Sequence, residues 1–501
     1  MNILFIYSLQ DLESLNRPLA SPEYLQFGIS YISAFLKSNG YKTRLAVLSR
    51  FAGVKRNHRV LDKYINDFKP GLICFTAVSS EYRFISDIAK FIKKKYKDIY
   101  LLIGGVHVSL NPEEALLDGF DALCIGEGEH PTLELARCLE NKLSPSHIHN
   151  LWIKNDGSVE KNPTRPFLED LDSLPNPDRE MWQEWIFDQP NSRQAVILGR
   201  GCPFICSYCS NHAIRKTSAG RYVRVRSVNN IIEEIKELAK KYPQQKEIYL
   251  EIETFYVDKK WAIELCLKLE ELNKGLTQPL SFGVNLRIMP NVDYEELFKA
   301  CKKTNFRFIN IGIESGNERI RREVLKRDYL NQDVIKVVKL ARQYGLKVAF
   351  FNLVGIPTET PSDFRETVRI NRICMPNWTN TSIFFPYPGT ELYSMCKEKG
   401  FLIKKLDTVR ERDRAILELP GFSKKMIQKS YEWFYFDIYR GSRPMVNLLM
   451  SVIIMKLRSR PRLFYLYKIF SRSKIYKYLR IAARAVSKDR ISQGEPTYEI
   501  Q

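Results

Sequence analysis

Short apolar runs separated by segments of helical period fill the first 140 residues. The runs Ile3–Tyr7, Arg44–Leu48, Leu72–Thr76, Tyr100–Ile103 and Ala122–Ile125 are each four or five residues long, the length of buried strands. Between them, segments such as Phe84–Tyr96 repeat apolar positions every three to four residues, and Gly28–Gly40 reads as the first of these helices. Five strands with helices between them predict an α/β domain over 1–140, a flavodoxin-like (Rossmann-type) parallel sheet covered on both faces. Ligands of such sheets bind outside the carboxyl ends of the strands. Here those ends carry Ser8, Thr76 to Ser80, Gly104-Gly105-Val106-His107 and Gly126-Glu127-Gly128-Glu129. Glycine there lets backbone approach a flat ligand, although the same glycines could simply turn strand into helix.

Residues 141–190 break the alternation. Pro145, Pro163, Pro166, Pro175, Pro177 and Pro190 interrupt it, with Trp152, Trp182 and Trp185 interleaved. So much aromatic surface predicts an ordered connector that packs on something, not a flexible linker. From about 191 to 400 a second alternation begins. Strands are expected at Ala195–Leu198, Ile248–Ile252, Leu280–Leu286, Phe308–Ile313, Lys347–Val354 and Thr381–Phe385. Helical patterns at Val228–Lys241, Lys259–Asn273, Tyr294–Lys302, Asp333–Tyr344 and Ser362–Asn371 fall between them. Six such units predict a partial (β/α)6 barrel with its chemistry at the strand carboxyl ends. After Gly400 the pattern becomes helical and basic, giving a mainly helical C-terminal region over 401–501.

Composition narrows the class. A chain of 501 residues suits about three domains. Its 44% hydrophobic and 12% aromatic content excludes a disordered tail, a collagen-like repeat and a small disulfide scaffold. The formal charge of +21 favours acidic partners, and residues 441–501 concentrate it, with 13 basic against 3 acidic side chains. The apolar start at Ile3–Tyr7 is too short for a signal peptide, and the longest apolar candidate, Met445–Leu457, is too short for a bilayer span. A cytoplasmic location is therefore expected, where the ten cysteines stay reduced and serve as core thiols or ligands.

Three cysteines stand apart. Directly after the strand Ala195–Leu198 comes Gly199-Arg200-Gly201-Cys202-Pro203-Phe204-Ile205-Cys206-Ser207-Tyr208-Cys209. Thiolates at this C-x3-C-x2-C spacing can ligate three irons of a [4Fe–4S] cube and leave the fourth iron open to a substrate. A zinc site is the competing metal reading, with His212 the one nearby nitrogen ligand and no paired C-x2-C knuckles. Cys74, Cys124, Cys138, Cys266, Cys301, Cys374 and Cys396 lie singly in apolar patterns, as core thiols do.

The cysteine motif after the first barrel strand, with aromatic Tyr208 before its last cysteine, resembles the radical S-adenosylmethionine superfamily. The resemblance implies that the open iron chelates S-adenosylmethionine and that one electron cleaves it to a 5′-deoxyadenosyl radical. Phe308-Ile309-Asn310-Ile311-Gly312-Ile313-Glu314-Ser315-Gly316 resembles the family's fourth-strand segment, where Glu314 reaches cofactor ribose or amino groups. Val354-Gly355-Ile356-Pro357 resembles the turn near adenine, and Pro386-Tyr387-Pro388-Gly389 the sixth-strand exit. The second strand departs from the family's Gly-Gly-Glu: it ends Glu251-Ile252-Glu253, so either carboxylate is a candidate for the methionine amine. Strand alternation puts both on one face.

The N-terminal pieces resemble the cobalamin-binding domain of B12-dependent members of this superfamily, so that the likeness spans roughly residues 1–400. It implies cobalamin contacts from Thr76, Ser79, Gly104, Gly105, His107, Gly126, Glu127 and Gly128. No D-x-H-x-x-G surrounds any of the six histidines. Cobalamin would then lack a protein imidazole below cobalt, and His107 would line a loop near the nucleotide tail.

Together the two domains imply methylation of an unactivated carbon: the adenosyl radical removes hydrogen and methylcobalamin supplies the methyl group. A cyclisation or rearrangement on the same cofactors is the alternative, since fold does not choose between them. A tRNA methylthiotransferase would need a second cluster from Cys74, Cys124 and Cys138. A non-catalytic cobalamin- or nucleic-acid-binding protein is the reading from another class, but it has no use for an open iron. The expected partners are a small-molecule or lipid-like substrate and an electron donor such as flavodoxin or ferredoxin. The run Arg462–Phe470, basic and aromatic residues intermixed, offers either a peripheral contact with the inner membrane face or a cap on the barrel. Nucleic acid is not expected, because no recognition motif accompanies the charge.

Overall fold

The computed structural model describes residues 1–9, 17–19, 25–155, 157–186, 193–402, 411–460 and 463. Five parallel strands open the chain: β1 Asn2–Ser8, β2 Lys42–Leu48, β3 Leu72–Thr76, β4 Tyr100–Gly104 and β5 Ala122–Cys124. Their order across the sheet is β2-β1-β3-β4-β5, the flavodoxin arrangement. Helices Phe27–Ser38, Val54–Phe68, Tyr82–Lys95, Val106–Leu110 and Pro112–Leu116 lie between them, and Glu129–Glu140 follows β5. The strands bury Ile3, Leu72, Ile73, Leu101 and Ile103 completely, as a parallel sheet covered on both faces requires.

The proline-rich stretch adds two strands that periodicity did not show. β6 Leu151–Asn155 and β7 Ser158–Lys161 form a hairpin antiparallel to β5. Strands of four or five residues with polar outer positions read as loop; pairing with β5 makes them sheet. Beyond the hairpin, Trp182 is fully buried and its Nε1 donates to Ser30 Oγ at 2.8 Å, while Trp185 Nε1 donates to the Leu45 carbonyl at 3.2 Å.

The second sheet starts with β8 Gln194–Ile197, followed by a two-stranded antiparallel ribbon of β9 Gly199–Arg200 and β10 Arg224–Val225. It continues with β11 Glu247–Glu251, β12 Ser281–Leu286, β13 Phe306–Glu314, β14 Lys347–Val354 and β15 Trp378–Ile383. These six main strands are parallel in the order β8-β11-β12-β13-β14-β15, with no strand among the described residues paired to either outer edge. The sheet is thus an open, partial barrel. Its helices start where the sequence provides caps: Ser227 accepts from the Asn230 amide, Asp258 from Trp261, and Thr360 with Asp363 forms a capping box with Pro361 at the first turn.

Two further helices, Lys424–Tyr439 and Met445–Ser459, follow. Ile427, Phe434, Ile438 and Leu448 join Val354, Ile356 and Phe364 in one apolar core, so the C-terminal helices cover the barrel's late strands. Arg462–Phe470, apart from Leu463, lies outside the described residues. No helix among the described residues is long and apolar enough to cross a membrane.

Candidate cofactor sites

A cavity of about 270 Å3 lies at the carboxyl rim of the first sheet. Phe5, Cys74, Phe75, Leu102 and Cys124 wall it, and Thr76, Gly104, Gly105, Gly126, Glu127 and Gly128 edge it. A Cβ would be crowded at two of these positions, against backbone at the first and against a movable side-chain end at the second. Gly105 has φ +99°, and a Cβ there would lie 2.8 Å from both the Ala77 carbonyl and Thr76 Oγ1. At Gly128 a Cβ would lie 2.7 Å from Ile32 Cδ1.

Ser79 and His107 are not in that lining. His107 is buried behind the rim, with Nδ1 3.2 Å from Ser79 Oγ, Nε2 3.5 Å from Glu114 Oε2, and its ring 4.2 Å from that of Tyr82. Burial pushes its pKa down to about 4, so the ring is neutral at pH 7. Glu127 edges the cavity but spends its carboxylate on the second domain. It pairs with Arg200 at 3.0 Å and Arg224 at 2.9 Å, and accepts from the Leu168 amide at 2.8 Å. Burial would raise its pKa; the hydrogen bond from Arg224 and the two guanidinium charges overcome that and hold it below the usual carboxylate range. Arg200 also pairs with Glu129 at 2.5 Å and lines the same cavity. It stands two residues before Cys202 in the chain, so the segment that leads into the cysteine loop also borders the cavity.

Cys202, Cys206 and Cys209 are free thiols on the loop after β9. Burial lifts the pKa of Cys202 to about 12 and that of Cys209 to about 11, with the neighbouring thiols adding to the rise. The loop is pinned from the far side of the barrel. Ser207 Oγ donates to the Val324 carbonyl at 2.5 Å, and the Ser207 carbonyl accepts from the Leu392 amide at 3.1 Å. Tyr208 Oη accepts from Arg327 Nη1 at 2.9 Å, and Arg327 also pairs with Glu314 at 3.3 Å. Glu314 closes β13 in the left-handed region, φ +60°, where β-strand pairing must end.

The two candidate carboxylates separate. β11 stops at Glu251, which is half-buried, and the chain bends at Glu253; the shared strand face expected for them therefore does not extend to Glu253. Glu253 Oε1 accepts from Asn211 Nδ2 at 2.7 Å on the short helix that follows Cys209. Its charge also raises the pKa values of Cys202 and Cys209, which places Glu253 beside the cysteine loop. The Glu253 side chain is exposed to solvent, and the Asn211 hydrogen bond favours its ionised form. Gly355, φ +80°, is covered by Ile427, which a Cβ would meet at 2.8 Å, and its amide donates to Glu359 Oε2 at 2.7 Å. Cys74, Cys124, Cys266, Cys301, Cys374 and Cys396 are buried, and Cys138 lies in the helix Glu129–Glu140.

The sequence pattern did not flag the arginines. Arg200, Arg224, Arg287 and Arg327 each approach one of the two sites. The one local signal was position: Arg287 directly follows the apolar strand β12, and Arg200 closes β9.

The Radical SAM superfamily model matches residues 196–370, and the B12 binding domain model matches residues 20–136. The chain carries a B12-binding domain followed by a radical S-adenosylmethionine domain. An uncharacterized methyltransferase of Pyrococcus horikoshii is 28% identical over 77% of this chain and 82% of its own length. The anaerobic magnesium-protoporphyrin IX monomethyl ester cyclase of Rubrivivax gelatinosus is 25% identical over 74% of this chain and 66% of its own. The structure of the cobalamin-dependent S-adenosylmethionine radical enzyme OxsB with aqua-cobalamin and S-adenosylmethionine bound shares the fold, with TM-score 0.67 and 14% identity over 99% of this chain and 82% of that one.

The cofactors of this family are a [4Fe–4S] cluster, S-adenosylmethionine and cobalamin, and the residues present fit them. Among the described residues no three His, Cys, Asp or Glu side chains converge as ligands of one ion would; a cube asks instead for three thiolates on three separate irons. Cys202, Cys206 and Cys209 are all free and sit on one loop, so each is open to a separate iron. The glycine-edged, apolar-walled cavity suits a flat heteroaromatic group.

Proposed function

We propose that this radical S-adenosylmethionine enzyme transfers a methyl group to an unactivated carbon of a small molecule. When bound, the cluster with S-adenosylmethionine supplies a carbon-centred radical, and cobalamin supplies a transferable methyl group. The observation that carries the reading is the adjacency of the two sites. Arg200 lines the first-sheet cavity and stands two residues from Cys202, and helix Val106–Leu110, after the Gly104-Gly105 rim, packs on helix Ser210–Ile214, after the cysteine loop. A chain that used only one cofactor would have no need to hold both at one crevice.

In this reading Cys202, Cys206 and Cys209 hold the cluster, and Glu253 receives the methionine amine. Asn211 orients the Glu253 carboxylate, while Tyr208, Arg327 and Glu314 hold the loop at its depth in the barrel. Gly104, Gly105, Gly126 and Gly128 admit the cobalamin tail. Thr76 belongs to the same rim, Ser79 and His107 brace it from behind, and Gly355 shapes the adenine side. The domain limits 1–140, 141–190, 191–400 and 401–501 follow the same division of labour, with the hairpin of 151–161 serving the first sheet.

The test is anaerobic reconstitution with iron, sulfide and cobalamin, then mass analysis with candidate substrates. Methylated product with both 5′-deoxyadenosine and S-adenosylhomocysteine is expected; 5′-deoxyadenosine alone, with an unmethylated, altered substrate, overturns methyl transfer. That second outcome is the cyclase-type reading, which the Rubrivivax relative favours.

For partners, the +21 charge favours an acidic electron donor of the flavodoxin or ferredoxin kind. We also propose a peripheral membrane contact, because helix Met445–Ser459 leaves Met445, Val446, Leu449 and Ile453 exposed next to Lys456 and Arg460. Sedimentation with anionic vesicles, with and without residues 441–501, decides it: equal binding by the two forms rejects the contact.

A further inference from the structure

Arg287 is the first residue past β12 and is 9% exposed. Its backbone amide donates to Thr254 Oγ1 at 3.1 Å, which fixes its root. From there the guanidinium runs into the cysteine loop. Its Cζ lies 3.7 Å from the centroid of the Phe204 ring, Nη2 donates to the Lys326 carbonyl at 3.4 Å, and Nη1 lies 2.6 Å from Cys206 Sγ. Among the described residues no carboxylate pairs with it.

A buried guanidinium is always charged and is retained only where an anion offsets the cost of desolvation. The other arginines near the two sites have that anion: Arg200 and Arg224 have Glu127, and Arg327 has Glu314. Arg287 has a ring, a carbonyl and a thiol. The missing negative charge is what a thiolate-ligated iron–sulfur cluster would bring, at the sulfur that Nη1 already touches. Hydrogen bonds and charge at cluster sulfurs set the reduction potential.

We infer that Arg287 is a positioning residue for the cluster: its guanidinium compensates the Cys206 thiolate and makes the cluster easier to reduce. The inference rests on the cluster being held by Cys202, Cys206 and Cys209. Phe204, stacked on the same guanidinium, keeps it from turning to solvent.

The experiment is a redox titration of the reconstituted full-length chain, followed by EPR and visible absorption, for wild type, Arg287→Gln and Arg287→Lys. Iron content and S-adenosylmethionine affinity are measured in parallel. At a fixed potential the ratio of reduced to oxidised cluster should fall about ten-fold in Arg287→Gln, the scale of lost outer-shell contacts, with Arg287→Lys between it and wild type. An unchanged potential in both variants overturns the assignment. So does an unchanged potential with weakened S-adenosylmethionine binding, which would move the guanidinium to the cofactor's carboxylate. If Arg287→Gln fails to assemble a cluster, Arg287→Lys decides: a lowered potential supports the inference and a wild-type potential rejects it. Wild type that takes up no cluster at all fails the cysteine reading instead, a result distinct from each of these.

Discussion

The two sheets are built on one plan and line their candidate sites in opposite ways. Both are built on parallel strands interleaved with helices, the first with an antiparallel hairpin added at its edge, and both present their candidate sites at the carboxyl rim. The first sheet works with backbone: at Gly105 a side chain would meet the Ala77 carbonyl and Thr76 Oγ1, and the cavity that the glycines edge is mostly apolar. The second works with side chains: three thiols, the Glu253 carboxylate and the Arg287 and Arg327 guanidinium groups. A large flat ligand is gripped through shape, whereas a metal cluster and a charged sulfonium need specific donors and charges. Arg200, ion-paired to Glu127 and Glu129, is where the two solutions meet.

The sharpest way to break the contrast is to remove a thiol. Cys202→Ala should abolish 5′-deoxyadenosine formation and strip iron while leaving cobalamin uptake intact, as read by iron assay and bound-cobalamin absorption. Loss of both together would mean that the sites are not separable. Breaking the junction comes next. Arg200→Met leaves Glu127 and Glu129 short of a buried partner and should cost about 3–5 kcal/mol, measured by urea unfolding, with both cofactors bound more weakly.

His107 provides a pH test confined to the first sheet. Its folded pKa of about 4 lies below the ordinary value of 6.5, so unfolding takes up a proton between those values. The stability it contributes is complete above pH 6.5 and is lost as pH falls toward 4, a span on the order of 3 kcal/mol. His107→Gln should flatten the wild-type decline over that window in urea titrations; an identical pH profile would show that the ring titrates freely. The smallest effect belongs to Gly105→Ala. It should cost roughly 1–3 kcal/mol of backbone strain and weaken cobalamin binding, with cluster content unchanged.

Much of this architecture is legible in the amino-acid pattern. Strands such as Leu72–Thr76 and Lys347–Val354 are readable to the residue because a strand covered on both faces is mostly apolar along its length. The cysteine loop is readable because ligand spacing is local. The hairpin of β6 and β7 is not, since its identity depends on pairing with β5. Nor is the fate of Glu251 and Glu253, because alternation predicts a shared face only while the strand continues.

The two alternating β/α stretches, the three-thiol loop and the glycine rims are written into the chain itself, because each depends on neighbours within a few positions. Three other outcomes came only from folding: which carboxylate stands beside the thiols, that Glu127 bridges domains while edging a cavity, and that Arg287 reaches Cys206. They depend on residues tens of positions apart, and a buried charge takes its meaning from whichever partner the fold brings within hydrogen-bonding distance.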